Sequence, residues 1–260
     1  MGRYLLIAAR NLAQNRRRTL LLGGAIAIVT VLLVLMTGVS NGIRRTITHA
    51  ATTLASGHVN VDGYLKPTRT RADLVMEDLA RVRRLVRQQV PGARLVVDRT
   101  VGTFKVVSAA DSRLFVALGV AIEDEPELRR LLQLRAGDLR GLQRPDTIAL
   151  FESQARRLQV QVGDVVTMSG RTLRGTPNAV DLQVAAIAAD IGRVSSMYVL
   201  TSREVPRRLK LVGERTSSRI QLYLDAPDRV DAVARDLRRA LRAAGFTTLP
   251  AASEPWWRVV

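Results

Sequence analysis

The chain has 260 residues, a formal net charge of +17 and no cysteine, which excludes disulfide frameworks, cysteine–zinc sites and thiol nucleophiles. Arginine supplies nearly all of the positive charge, since Lys66, Lys105 and Lys210 are the three lysines among 40 basic residues. Aromatic residues make up 4%, too few for the stacking surfaces that binding of single-stranded nucleic acid requires.

The basic excess is concentrated at the N-terminus. Seven arginines fall within residues 1–61, and Asp62 is the first carboxylate. Residues 1–19 read as a basic amphipathic segment at a membrane surface, with Leu5, Leu6, Ala9 and Leu12 able to share one face. Leu20–Val39 is an uncharged run of 20 residues, about the length a helix needs to cross the hydrocarbon core of a bilayer. Arg16, Arg17 and Arg18 stand immediately before it and are the topology-determining residues. Short loops rich in arginine stay in the cytoplasm, so the N-terminus is expected inside and the residues after about 40 in the periplasm of a bacterial inner membrane. A cleaved signal is the alternative, because Arg17-Arg18-Thr19-Leu20-Leu21 looks like a twin-arginine export motif. The run is longer than a secretory apolar region, and Thr37–Ala55 offers no clean cleavage site. The helix is expected to continue to about residue 55 on the spacing of Ile43, Ile47 and Leu54, and Gly57 to end it.

Beyond it, His58–Leu65 alternates as a strand, and Pro67 reads as loop. Asp73–Val90 is predicted as a helix with Val75, Leu79, Val82, Val86 and Val90 on one face. Residues 94–109 and 113–122 are β-rich, and Glu123–Leu134 is predicted as a short helix. A strand at Asp146–Leu150, a helix at Glu152–Leu158, and strands at Val160–Met168 and Val180–Ala188 follow, the last two joined by a polar stretch. Met197–Thr201 and Arg219–Leu224 read as strands, and Ser202–Leu211 as a short helix. Pro227–Ala244 is a second strong helix, with Val230, Val233, Leu237 and Leu241 as its stripe and Gly245 as its stop. Phe246–Leu249 is expected to close as a strand. The pattern is α+β: one N-terminal transmembrane helix, then a two-lobed periplasmic domain over 56–250. In it an α/β lobe built from both ends of the chain carries a β-rich insertion at about 115–200. Residues 251–260, with Trp256-Trp257-Arg258, read as a tail at the membrane interface.

The chemistry-bearing patterns are few. There is no phosphate-binding G-x-x-x-x-G-K-[ST] loop. Gly38-Val39-Ser40-Asn41-Gly42 matches a nucleophile elbow in letters, but follows a membrane helix where that motif needs a strand. Gly38 and Gly42 also have the spacing that lets membrane helices pack closely, or are simply small residues at a helix end. His49 and His58 lack a third metal ligand. Glu123, Asp124, Glu125 and Glu127 are expected to serve as cap and dipole partners of the helix behind them. Arg81, Arg83, Arg84 and Arg87 are expected to form a solvated helix face, with binding of phosphate or nucleic acid as the alternative. No catalytic, cofactor-binding or metal-binding residue is assigned.

Ala9–Thr19, the span, and Gly38–Pro67 together resemble the start of ABC-transporter permeases of the FtsX-like and MacB superfamily. Gly57-His58-Val59-Asn60-Val61 is most similar to the lipoprotein-releasing LolC/LolE type. Fainter likeness continues through Phe115–Asp138, Leu158–Met168 and Val180–Ile187. The resemblance implies a non-catalytic permease subunit whose ATP is bound by a separate cytoplasmic ABC ATPase. The helices would relay the ATPase's motion to a periplasmic domain that handles lipoprotein or another envelope substrate. It implies as partners that ATPase, a second permease copy or the remaining permease helices, membrane lipid and a periplasmic adaptor, with no nucleic acid. Such permeases carry three further spans, so the sequence to Val260 is expected to be an N-terminal part, a split half or a chain without transport. A single-pass periplasmic scaffold or binding module is the competing expectation.

Overall fold

The computed structural model describes residues 16–68, 71–213, 215–226 and 229–248. The lead-in at 1–15 and the tail at 251–260 lie outside the described residues. The chain divides into two compact units, Met1–His49 and Ala50–Val260.

The first unit is dominated by α1, Arg16–Ala51. Its segment Arg16–Ile43 is long and apolar enough to cross a membrane. Leu21, Ile26, Leu32, Leu33 and Met36 are all exposed, so the helix is apolar around its circumference rather than along one stripe. Thr30 and Thr37 return their hydroxyls to the carbonyls of Ile26 and Leu33, so these two donors are satisfied within the helix, as an apolar surrounding would require.

The second unit begins with a π-helical turn, Thr52–Ser56, and Gly57 ends it at φ +60°. Strand β1 is Val59–Asp62. The predicted strand to Leu65 divides here: β2, Tyr64–Thr68, and β3, Arg71–Leu74, form a separate hairpin, with Pro67 inside β2 rather than in a loop. Helix α2 is Leu79–Gln89, shorter than predicted. Val75 and Met76 are buried but not helical, because Met76 and Ser217 exchange backbone hydrogen bonds and hold that segment extended.

Strand β4, Ala93–Val107, is the longest, and β5 is Ser112–Val120. The predicted acidic helix resolves into a 3₁₀ turn, Ile122–Asp124, and α3, Pro126–Leu131. Strand β6 is Leu134–Gly137, β7 is Thr147–Phe151 and α4 is Glu152–Leu158. Strands β8, Val165–Arg171, and β9, Pro177–Ala188, occupy much of what the polar composition marks as a connection. The short helix α5, Gly192–Ser195, precedes β10, Tyr198–Ser202; α6, Glu204–Lys210, β11, Arg219–Leu224, and α7, Val230–Ala243, complete the unit. Pro227 lies outside the described residues. Residues 246–248 form no strand; the Phe246 amide instead returns to the Leu241 carbonyl behind α7.

Strand pairing closes a ring. β4 pairs β5, β5 pairs β10, β10 pairs β7, β7 pairs β9, β9 pairs β8, and β8 returns to β4 at Lys105–Val107. Closure of six strands removes the free edges an open sheet exposes. Phe104, Val106, Phe115, Ile148, Leu150, Met168, Leu182 and Val199 fill one core, joined by Leu158 of α4 and Leu209 of α6. Alternate residues of the same strands, among them Leu118, Val120, Phe151 and Leu200, face a second core with Leu54, Leu128 and Leu142. This period-two division is what half of each strand on either side of a sheet requires. A register shift in β9 between its pairings with Ile148 and Ala149 moves Ala186 and Ala188 into the second set.

A third core lies where β1 and β11 extend the sheet from the first half of β4. Val82, Val86, Leu237 and Leu241 of α2 and α7 pack there on Val59, Ile220 and Leu222. Asp62 and Arg219 are cross-strand partners in β1 and β11 and form a two-pronged pair at 2.6 and 2.8 Å.

Candidate functional site

The most elaborate polar construction of the second unit lies at its first residues. Arg99 of β4 is completely buried. Its Nε donates to Glu125 at 3.1 and 3.2 Å, and one terminal nitrogen also meets Glu125. The two terminal nitrogens donate to main-chain carbonyls of the π-helical turn, one to Leu54 and the other to Thr53 at 3.0 Å. Tyr223 of β11 adds a hydroxyl donor to the Thr53 carbonyl at 3.2 Å. Burial pushes the Tyr223 phenol up from its ordinary value. The chain leaves the turn through two more bonds, from the Gly57 amide to Thr52 at 2.6 Å and from the His58 amide to Leu222 at 2.9 Å.

The physical need is plain. The last carbonyls of a helix have no partner within it and carry the negative end of its dipole. Here they are buried, so a cation with fixed planar donors meets both requirements at once. Glu125 in turn balances that cation. Breaking such a buried pair by removing one member typically costs about 3–5 kcal/mol, because the other charge is stranded.

Glu125 therefore does not cap the following helix as the sequence pattern led us to expect; its side chain makes no cap bond. Glu127 keeps the expected place in the first turn of α3 and also pairs with Arg94 at 2.8 Å, and Glu123 accepts from Gln143. His58 is tied into the same region, its Nδ1 accepting the Leu224 amide at 2.8 Å and its ring meeting Tyr223 edge-on at 5.9 Å. Of the arginine face on α2, Arg81 lies over the Phe246 ring at 5.0 Å and Arg83 pairs with Asp98 at 3.2 Å. Two members of that face thus tie elements together.

Arg16, Arg17 and Arg18 occupy the first turn of α1 and are exposed. Gly38 and Gly42 lie one turn apart in its helical body, and a Cβ at either would meet nothing within 4 Å. Ser40 is helical too, so the nucleophile-elbow geometry is absent there. Among the described residues, no group of three His, Asp or Glu gathers to hold a metal.

A second feature is an open cleft of about 810 Å³. It lies where β11 ends its pairing with β4 at Arg99 and β8 begins its own at Lys105. Leu74, Val101, Phe104, Lys105, Arg171 and Lys210 are among its lining residues. The Lys210 ammonium is buried and donates to the carbonyls of Leu74 and Val101 at 3.2 and 3.1 Å. Gly102 and Gly170 flank the Phe104 ring so closely that a Cβ would fall within 2.6 and 2.5 Å of it.

A helix long and apolar enough to cross a membrane runs on in sequence into a domain of mixed α/β structure built on a closed ring of strands, an arrangement that fits a membrane-anchored class of protein. The family model for the MacB-like periplasmic core domain matches residues 19–240, and the chain belongs to that family. Among solved structures it is similar to the extracellular domain of the noncanonic ABC-type transporter YknZ from Gram-positive bacteria, at 11% identity over 72% of this chain and 94% of that one, TM-score 0.47. It is also similar to the periplasmic region of MacB from Actinobacillus actinomycetemcomitans, at 16% identity over 71% and 82% of the two chains, TM-score 0.42. A domain of a permease protein from Porphyromonas gingivalis shares 18% identity over 60% and 68%, TM-score 0.37. No curated protein matches the sequence.

Proposed function

We propose that this chain is the membrane-anchored permease subunit, or its N-terminal part, of an envelope ABC transporter. In this reading a separate cytoplasmic ATPase binds and hydrolyses ATP. The span carries the resulting motion to the periplasmic domain, which acts on a lipoprotein or another envelope substrate. The observation that supports it is the extent of the family match, which starts at residue 19 at the apolar run and continues through the domain to residue 240. The lipoprotein-releasing variant rests on Gly57-His58-Val59-Asn60-Val61, and orientation on Arg16, Arg17 and Arg18. Gly38 and Gly42 would then face a neighbouring permease helix or a second copy. Within the domain we assign the third core, with α2 and α7, to an α/β lobe, and the strands at about 115–200, which close the ring with β4, to the inserted lobe.

The test is capture of the ATPase. A photo-crosslinking side chain at Gln14, introduced in the native host, is expected to trap a protein bearing a phosphate-binding G-x-x-x-x-G-K-[ST] loop. Stable membrane insertion with no such ATPase among the captured proteins would overturn the reading in favour of an anchored scaffold.

A further inference from the structure

We propose that Arg99 and Glu125 fasten the π-helical turn Thr52–Ser56 to the strand ring, so that the turn opens only when the ring itself opens. The proposal deepens the transport reading, because motion arriving along the chain from residue 51 would then pass into β4 without fraying at the junction.

Three observations carry it. The first is the direction of Arg99's donors. Those that reach the turn meet two consecutive main-chain carbonyls, Thr53 and Leu54, and none of the turn's side chains, so the hold on the turn is on the path of its backbone, while the remaining bonds go to the Glu125 carboxylate. The second is Leu54 itself, fully buried in the core that also contains Val101, Leu118 and Leu128. The turn is thus held through its backbone and through one side chain. The third is where the two charged residues come from. Arg99 sits in the middle of β4, at the last register position shared with β11 and one residue before the pairing with β5 begins. Glu125 immediately precedes α3, on the connection leaving β5. One guanidinium therefore joins the turn to two successive segments of the domain.

Chemistry explains why a fixed arginine suits this position. A π-helical turn has weaker internal geometry than an α-helix and tends to occur as a single turn at functional places. Left to itself it would exchange and fray like any helix end. Lysine could neutralise Glu125, but it is a point charge without the planar fork that serves a carboxylate and two carbonyls together.

Hydrogen–deuterium exchange on the full chain in lipid nanodiscs tests this without any ATPase. In the wild type, the amides of Gly57 and His58 are expected to exchange as slowly as those of Ile148–Phe151 in the ring. In Arg99→Lys, exchange at 57–58 is expected to rise at least tenfold while 148–151 stays unchanged. If Arg99→Lys does not fold, Tyr223→Phe, which removes one donor to Thr53, is expected to raise exchange at 57–58 about threefold with the ring unaffected. Wild-type amides at 57–58 that exchange much faster than the ring would overturn the proposal. So would a folded Arg99→Lys protein with unchanged exchange at 57–58, or with equally faster exchange throughout. If Tyr223→Phe is the variant measured, unchanged exchange at 57–58, or a rise shared by the ring, overturns it equally. A failed ATPase capture alongside the expected exchange pattern would reject the transport reading and leave the fastening intact.

Discussion

Arg99 stands in the run Arg94–Phe104, where hydrophobic and charged residues are interleaved and the sequence marks only β structure. Nothing in that spacing separates a buried guanidinium from Arg94, which is exposed on the same strand. The distinction depends on which chain segments arrive opposite, and those come from residues 53, 54 and 125. Two other buried polar groups on neighbouring strands are not so well served. Thr100 and Thr201 oppose the same residue, Gly119, from either side, and neither hydroxyl has a partner among the described residues. A buried hydroxyl without a hydrogen bond is a net cost, and valine keeps its shape. Thr100→Val and Thr201→Val are each expected to stabilise the protein by about 1 kcal/mol in urea unfolding. Tyr223 gives the opposite kind of test. Its pKa is raised above that of an unfolded tyrosine, chiefly by burial, so the stability it contributes is fully present below about pH 10. That contribution disappears as pH rises through the folded value, because the unfolded chain ionises first. The urea midpoint of the wild type is therefore expected to fall more steeply above pH 10 than that of Tyr223→Phe.

At the scale of elements, the stripes of α2 and α7 were legible because burial of one helix face imposes a 3.6-residue period that local sequence carries. Their inner residues Val82, Val86, Leu237 and Leu241 are buried as that period predicts. The strands were legible as material but not as bounds. Val160–Gln161 lies before β8 rather than within it. Gly163, at φ +99°, donates to the Val184 carbonyl, and Asp164 accepts the Gln161 amide, so a turn takes the place of a strand start. The polar residues after Met168 read as a connection because they face solvent, yet Ser169–Arg171 pairs residue by residue with Pro177–Ala179. Gly137 shows how a pairing constrains one position: at φ +78°, a Cβ there would lie 2.2 Å from the Ala185 carbonyl oxygen. Gly137→Ala is expected to cost about 2 kcal/mol or more, read as a lower thermal midpoint, from left-handed backbone strain and the clash together.

For the whole molecule, composition and charge located the helix, since about 20 apolar residues behind three arginines have few other uses. Closure of the ring was beyond sequence, because it depends on the contact of Lys105–Val107 with Thr167–Ser169, some 60 residues away. Orientation is open to direct measurement because the chain has no cysteine of its own. In separate variants, Gln14→Cys and Ser112→Cys are expected to respond differently to a membrane-impermeant maleimide applied to intact cells. Labelling at 112 but not at 14, on a membrane-bound product of full mass, is the expected outcome. A shortened soluble product would mean a cleaved signal, and protection at both positions a cytoplasmic domain.

The closed pairing has a consequence for how the domain can deform. Strands in register slip past one another only in whole steps, and an odd step carries buried side chains to the wrong face. In a ring, a step taken at one pair must be matched around the circuit, since no free end exists to absorb it. Small displacements therefore have nowhere to dissipate as sliding. β4 holds Arg99 and, from the next residue on, belongs to the ring, so the arginine is anchored to a strand that can change register only if its neighbours change with it.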